Sequence, residues 1–188
     1  RGQHDRWRDL KYSSTKYPSA GLGATSASQL PPETTARREC SERVMVIRRD
    51  YAWLLGLEPG VLMHTRYIKL LVNREPVLIA ISYLPAELDL TDEPSQWQNG
   101  DIGTLAVNGY PVTPAEFIES TARWPAASER HALGIPSGAR IPLTLLTRNY
   151  EIQANDRKLQ AGVLVLVRGD RAHLYWGREY QGLVLLDR

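Results

Sequence analysis

The sequence predicts an α+β domain in which strands outnumber helices, and three observations carry that expectation. Runs such as "VLMHTRYIKLLV" and "PVLIAISYL" are rich in β-branched and aromatic residues over strand length. Consecutive runs are split by short polar turns, "NRE" and "QAND", which read as hairpin connections. The candidate helices are short and closed by glycine, and the motif recurs: "YAWLLGLEPG" ahead of one Arg-bearing strand is echoed by "SERHALGIPSG" ahead of another.

Taken in order, "RVMVI" alternates as a short strand does. Asp50 is placed to cap the helix "YAWLL", which Gly56 ends. The first hairpin follows, turning at "NRE". A polar, Pro-bounded stretch leads to "GTLAV", read as one or two helical turns, and to "AEFIESTAR", which fits helix and strand equally. Pro125 separates that run from the helix "AASERHAL", closed by Gly134. The runs "IPLTLLTRNYEI", "KLQAGVLVLV" and "AHLYWG" read as an antiparallel meander turning at "QAND" and "RGD". Each half is thus a short helix, a glycine-closed turn and a strand hairpin. Two such halves complete one continuous sheet with helices on one side.

The chain divides near position 40. Residues 1–40 are dense in Ser, Thr, Pro, Gly and Ala with little hydrophobic periodicity, and are expected to form a linker or arm; residues 41–188 carry the domain. The opening "RGQHDRWRDLKY" mixes basic and aromatic side chains, a pattern that suits a phosphate backbone but is more simply a solvated segment. A net charge of +2 with 43% hydrophobic residues describes an ordinary globular chain and excludes a disordered or membrane class. No apolar run approaches the ~20 residues of a spanning helix and no signal peptide opens the chain, so a cytoplasmic protein without a membrane partner is expected. The single cysteine, Cys40, forbids an internal disulfide and reads as an ordinary thiol.

Catalytic signatures are absent. "GLGATSA" lacks the lysine of a phosphate-binding loop, and no Gly-x-Ser-x-Gly elbow occurs. The four histidines, at 4, 64, 131 and 173, have no ligand spacing, so neither a metal nor another cofactor is expected. What stands out is a pair of arginines, Arg66 and Arg148, each inside an otherwise apolar strand after the glycine turn of its half. Buried arginine is costly without a partner, so the pair is read either as fork-shaped donors to an anionic ligand or as two internally paired side chains.

The runs 55–85 and 103–151 resemble the UTRA domain, the effector-binding domain of HutC-like regulators in the GntR superfamily of bacterial transcription factors. Leu55–Gly60, Tyr83-Leu84-Pro85, Arg123 and Pro125 ahead of Glu129, and "LGIPSG" leading to Arg148 carry the match, whose order and spacing extend over residues 43 to 182. The resemblance implies a chorismate lyase-like fold, no catalysis, and a small-molecule pocket whose occupancy changes how a homodimer, usually a repressor, sits on operator DNA. In whole members a winged helix-turn-helix domain precedes the linker. None is visible in residues 1–40, so this chain is expected to be the sensor half.

Departures narrow the ligand. Of the Arg-x-Arg pair that sugar-phosphate-sensing members place on the first long strand, only Arg66 is kept, and Ile68 stands at the second position. The family's glutamates fall near Ala80 and Leu164, and its Ser-x-Tyr near Gly103 and Leu105. The expected ligand set is Arg66, Arg148, Ser82, Tyr83, Tyr150 and Tyr175, and the expected effector a carboxylate-bearing metabolite in place of a phosphosugar. A dimerisation module with no effector, or a chorismate lyase-like enzyme, are the alternatives.

Overall fold

The computed structural model describes residues 7–8, 36–90, 105, 107, 109–176 and 181–186, with 7–8, 36, 115–120, 173–176 and 181–186 described as backbone alone. The elements are β1 (Trp7–Arg8), β2 (Ala36–Val46), α1 (Arg49–Leu54), β3 (Leu62–Val72), β4 (Glu75–Pro85), β5 (Val112–Arg123), α2 (Ala127–Ala132), β6 (Leu143–Ala154), β7 (Arg157–Arg168), β8 (Ala172–Trp176) and β9 (Gln181–Leu186). A six-stranded sheet runs in the order β2-β3-β4-β7-β6-β5, and a three-stranded sheet in the order β1-β9-β8. Every pairing is antiparallel. The fold class is the expected one.

Each half of the large sheet is a strand, a one-and-a-half-turn helix and a hairpin, and the halves join where β4 pairs with β7. Both hairpins turn on two residues at positive φ, Asn73 (51°) and Arg74 (67°) in one, Asn155 (47°) and Asp156 (59°) in the other. That is the geometry whose twist matches the flanking strands, and asparagine enters it at low cost. Both helices end alike. The N–H of Gly56 donates to Trp53 O and that of Leu57 to Ala52 O, while Gly134 and Ile135 donate to His131 O and Arg130 O. Gly56 and Gly134 take φ of 59° and 61°, where a side chain would be strained.

The two faces of the sheet are both covered. On one, Tyr51 and Ala52 of α1 and Leu55 at its C-cap, with Leu133 and Ile135 after α2, pack onto Ile79, Ile81, Leu164 and Leu166. On the other, Leu88, Leu105 and Val107 lie over Ile68, Leu78, Ala80, Leu146, Val163 and Val165. This is why Ala161–Arg168 of β7, a central strand, is buried without alternation. Gly162 allows the approach of α1: a Cβ there would meet Leu55 Cδ2 at 3.0 Å.

Four local expectations change. Asp50 is not the cap of α1. The N-cap is Arg48, without a side-chain cap bond, and Asp50 inside the first turn accepts from Arg48 Nε and Nη2 at 3.1 and 2.6 Å. The ambiguous "AEFIESTAR" is strand, with an irregularity between Pro114 and Ile118. The strand read as "RVMVI" begins at Ala36. "AHLYWG" does not extend the β6–β7 meander: β8 leaves the large sheet to pair with β9. The helical reading of "GTLAV" lies largely outside the described residues.

Candidate functional site

One row of residues crosses all six strands. Glu42 pairs with Arg66, Arg66 with Ser82, Ser82 with Val163, Val163 with Arg148 and Arg148 with Ile118. Directly paired residues share a face, so Arg66, Ser82 and Arg148 stand on the same side of the sheet. The row is symmetric about the seam between Ser82 and Val163, with Arg66 and Arg148 as equivalent members of the two halves. Three strand spacings separate their backbones, about 14 Å. One residue of offset between the halves is taken up by the bulge at Leu70/Leu71.

The two arginines are held differently. Arg66 is 2% exposed, and its Nε donates to Glu42 Oε2 at 3.3 Å. Glu42 Oε1 also lies 3.6 Å from His64 Nδ1, two residues before Arg66 on the same strand. Arg148 is half-buried and turns along its own strand, placing its guanidinium 5.3 Å from the centroid of the Tyr150 ring. Tyr150 is buried, which pushes its hydroxyl pKa up, and hydrogen bonds from the Arg148 side chain and the Leu105 backbone oppose that rise. Leu105 thereby links the cover of this face to the arginine row. Within Val77–Leu84 of β4, Ser82 is the one residue that is not buried.

The expected ligand set is therefore partly assembled. Arg66, Ser82, Arg148 and Tyr150 share one face. Tyr83 does not join them, because it pairs with Thr65 and stands on the helix-bearing face, its ring 6.4 Å from that of Tyr51. The side chain of Tyr175 lies outside the described residues. Ile68 and Ala80 form a direct pair in the next row of the arginine face, and both are apolar. Leu164 faces the helices instead, so the position a glutamate would need on the arginine face is Val163 or Val165. Glu42 is the group that sequence reasoning missed. It lies 24 positions from Arg66, and only strand register brings the two together. Among the described residues no group of three His, Cys, Asp or Glu side chains could hold a metal ion.

A second polar centre lies on the helix-bearing face. Glu129, 3% exposed, accepts from Arg123 Nη1 and Nη2 at 2.7 and 2.5 Å, from Tyr51 Oη at 2.5 Å and from the Ala126 N–H at 2.7 Å. Burial works against its charge, yet those four bonds outweigh it and hold its pKa at about 2. Burial first, and then the same carboxylate, push the Tyr51 hydroxyl far upward. Glu129 is saturated, and serves to tie α2 to α1 and β5.

No family model matches the sequence, and no curated protein matches it. Solved structures do. PhnF from Mycobacterium smegmatis is similar at a TM-score of 0.50 and 20% identity over 82% of this chain and 66% of that one. The effector domain of the same protein aligns at 0.46 and 22% identity, covering 81% and 92%. The C-terminal domain of the histidine utilization repressor from Pseudomonas syringae pv. tomato aligns at 0.48 and 18%, covering 76% and 98%. The chain shares its fold with PhnF. No described helix is long and apolar enough to cross a membrane.

Proposed function

We propose that this chain is the small-molecule-sensing and self-association domain of a GntR/HutC-type transcription regulator. In this reading it is a repressor that meets operator DNA through a separate DNA-binding domain, works in the cytoplasm, and catalyses nothing. The observation that carries the proposal is the row on which Arg66 and Arg148 flank the half-buried Ser82, in a fold shared with PhnF, a protein with an effector domain. The effector is an anion held by the arginine forks beside Ser82. Apolar residues at Ile68 and Ala80 favour a carboxylate over a phosphosugar. Binding shifts the dimer only as far as the effector's affinities for its two arrangements differ. The exposed apolar run Val44, Met45, Val46, Val61 and Leu62 is the surface this reading gives to self-association.

One observation favours a second reading, a dimerisation module without an effector: Arg66 already has an internal carboxylate in Glu42. A thermal-shift screen separates the two. A carboxylate at about 100 times its Kd should stabilise the native state by about 2.7 kcal/mol, a rise in Tm of roughly 5–10 °C for a chain of this size. Arg148→Ala should abolish most of that rise, measured against the variant's own unliganded Tm, which falls modestly as Tyr150 loses its bond from Arg148. Stabilisation by phosphosugars instead would overturn the ligand class. No rise with any carboxylate would leave the module reading.

A further inference from the structure

We propose that the cleft on the helix-bearing face of the sheet is a second small-molecule site, which takes a compact carboxylate with an apolar or aromatic body. The site is independent of the arginine-row reading, because it lies on the opposite face and shares no side chain with it. The cleft encloses about 520 Å³ between β2–β4 and the two helices, within the range of small-molecule sites.

Its floor is itself a row. Arg43 pairs with Thr65, and Thr65 with Tyr83, so a guanidinium and two hydroxyl-bearing side chains stand side by side on one face. Thr65 is 6% exposed, and its Oγ1 is buried without a hydrogen-bond partner. Tyr83 beside it is 4% exposed. Buried hydroxyls are normally paired, and the orphaned Thr65 hydroxyl in the wall of a cleft is an arrangement that an incoming acceptor completes.

The charges around the cleft set the ligand's sign. Arg43, Arg48 and Lys69 line it. Arg48 is engaged by Asp50 and Lys69 by Glu39 at 3.5 Å, but neither of those carboxylates lines the cleft. Arg43 forms no ion pair among the described residues. The one carboxylate in the wall, Glu129, is consumed by Arg123, Tyr51 and the Ala126 N–H. Arg43 is therefore the cation the cleft leaves for a ligand, and with the hydroxyls of Thr65 and Tyr83 next to it in the row it makes a recognition set for a carboxylate. Ile79, Ile81 and Leu166 supply the apolar ground for the rest of the molecule.

The test is a titration of the intact chain with phenylacetate, benzoate and indole-3-acetate, followed by amide chemical shifts, with 2-phenylethanol as the neutral analogue. We expect saturable shifts centred on Arg43, Thr65 and Tyr83, a Kd raised about tenfold by Arg43→Ala and roughly threefold or more by Thr65→Val, and no saturable binding of 2-phenylethanol. Arg43 is exposed on the edge strand, so its variant keeps the fold, which the same spectra verify. The proposal fails if none of the three acids gives saturable shifts, if the alcohol binds as well as the acids, or if Arg43→Ala leaves the Kd unchanged. Shifts confined to Arg148, Tyr150 and Leu105 overturn it in favour of the opposite face. Arg148→Ala then removes the binding, so each face succeeds or fails separately.

Discussion

Glu129→Ala should cost this domain roughly 3–5 kcal/mol of unfolding free energy, the range for breaking a buried ion pair by removing one partner. The carboxylate accepts four hydrogen bonds from three elements, and its loss strands the Tyr51 hydroxyl and the Arg123 guanidinium in partly apolar surroundings. Urea denaturation measures the change directly. Glu129→Gln keeps the volume and some bonds and should cost less, whereas equal losses in the two variants would show that packing, and not charge, is what Glu129 contributes. The same group predicts an acid limb. Its pKa is depressed from 4.5 to about 2, so its contribution is complete above the unfolded value of 4.5 and is lost as pH falls through the folded value. The shift corresponds to about 3 kcal/mol. Stability should fall steeply between about pH 4.5 and 2, and the Glu129→Gln variant should show a shallower fall over that window.

Arg168→Ala should cost roughly 3 kcal/mol. Arg168 is 4% exposed at the end of β7. It donates to Leu133 O at 3.0 Å and Pro76 O at 3.3 Å, and to both oxygens of Asp170 at 3.0 and 2.8 Å. One side chain thus satisfies the C-cap carbonyl of α2, the entry to β4 and the turn after β7, at a helix C-terminus where positive charge is favoured. Arg168→Lys retains the charge but not the fork, and should recover only part of the loss. Full recovery by lysine in chemical denaturation would mean that the carbonyl contacts contribute little.

The hairpins, their turns and the glycine-ended helices were legible because each is a local pattern: asparagine at positive φ, glycine after the last turn, apolar runs of strand length. The arginine pair was legible because a charge inside an apolar strand asks for a partner. What could not be read was register. Glu42 meets Arg66, and Leu105 meets Tyr150, through pairings and packing that no local pattern encodes. The grouping of Ser82 with Tyr83 shows the opposite lesson, since neighbours on a strand point to opposite faces, and period-2 geometry alone separates them. Likewise β8 follows β7 after a short turn, as a meander strand would, and its departure to β9 is decided by tertiary pairing.

The seam between the halves has a kinetic consequence. β4 and β7 align over six residue pairs, from Leu78↔Val167 to Tyr83↔Gly162, whereas the β6–β7 hairpin aligns over twelve. Each hairpin closes over a two-residue turn, but the seam must bring Ile81 to Leu164 across the whole intervening chain, and loop-closure entropy grows with that separation. Hairpins are therefore expected to form before the seam that completes the sheet. Both the arginine row and its symmetry exist only after that last step: a chain with each half formed and the seam open holds Arg66 and Arg148 on unrelated surfaces.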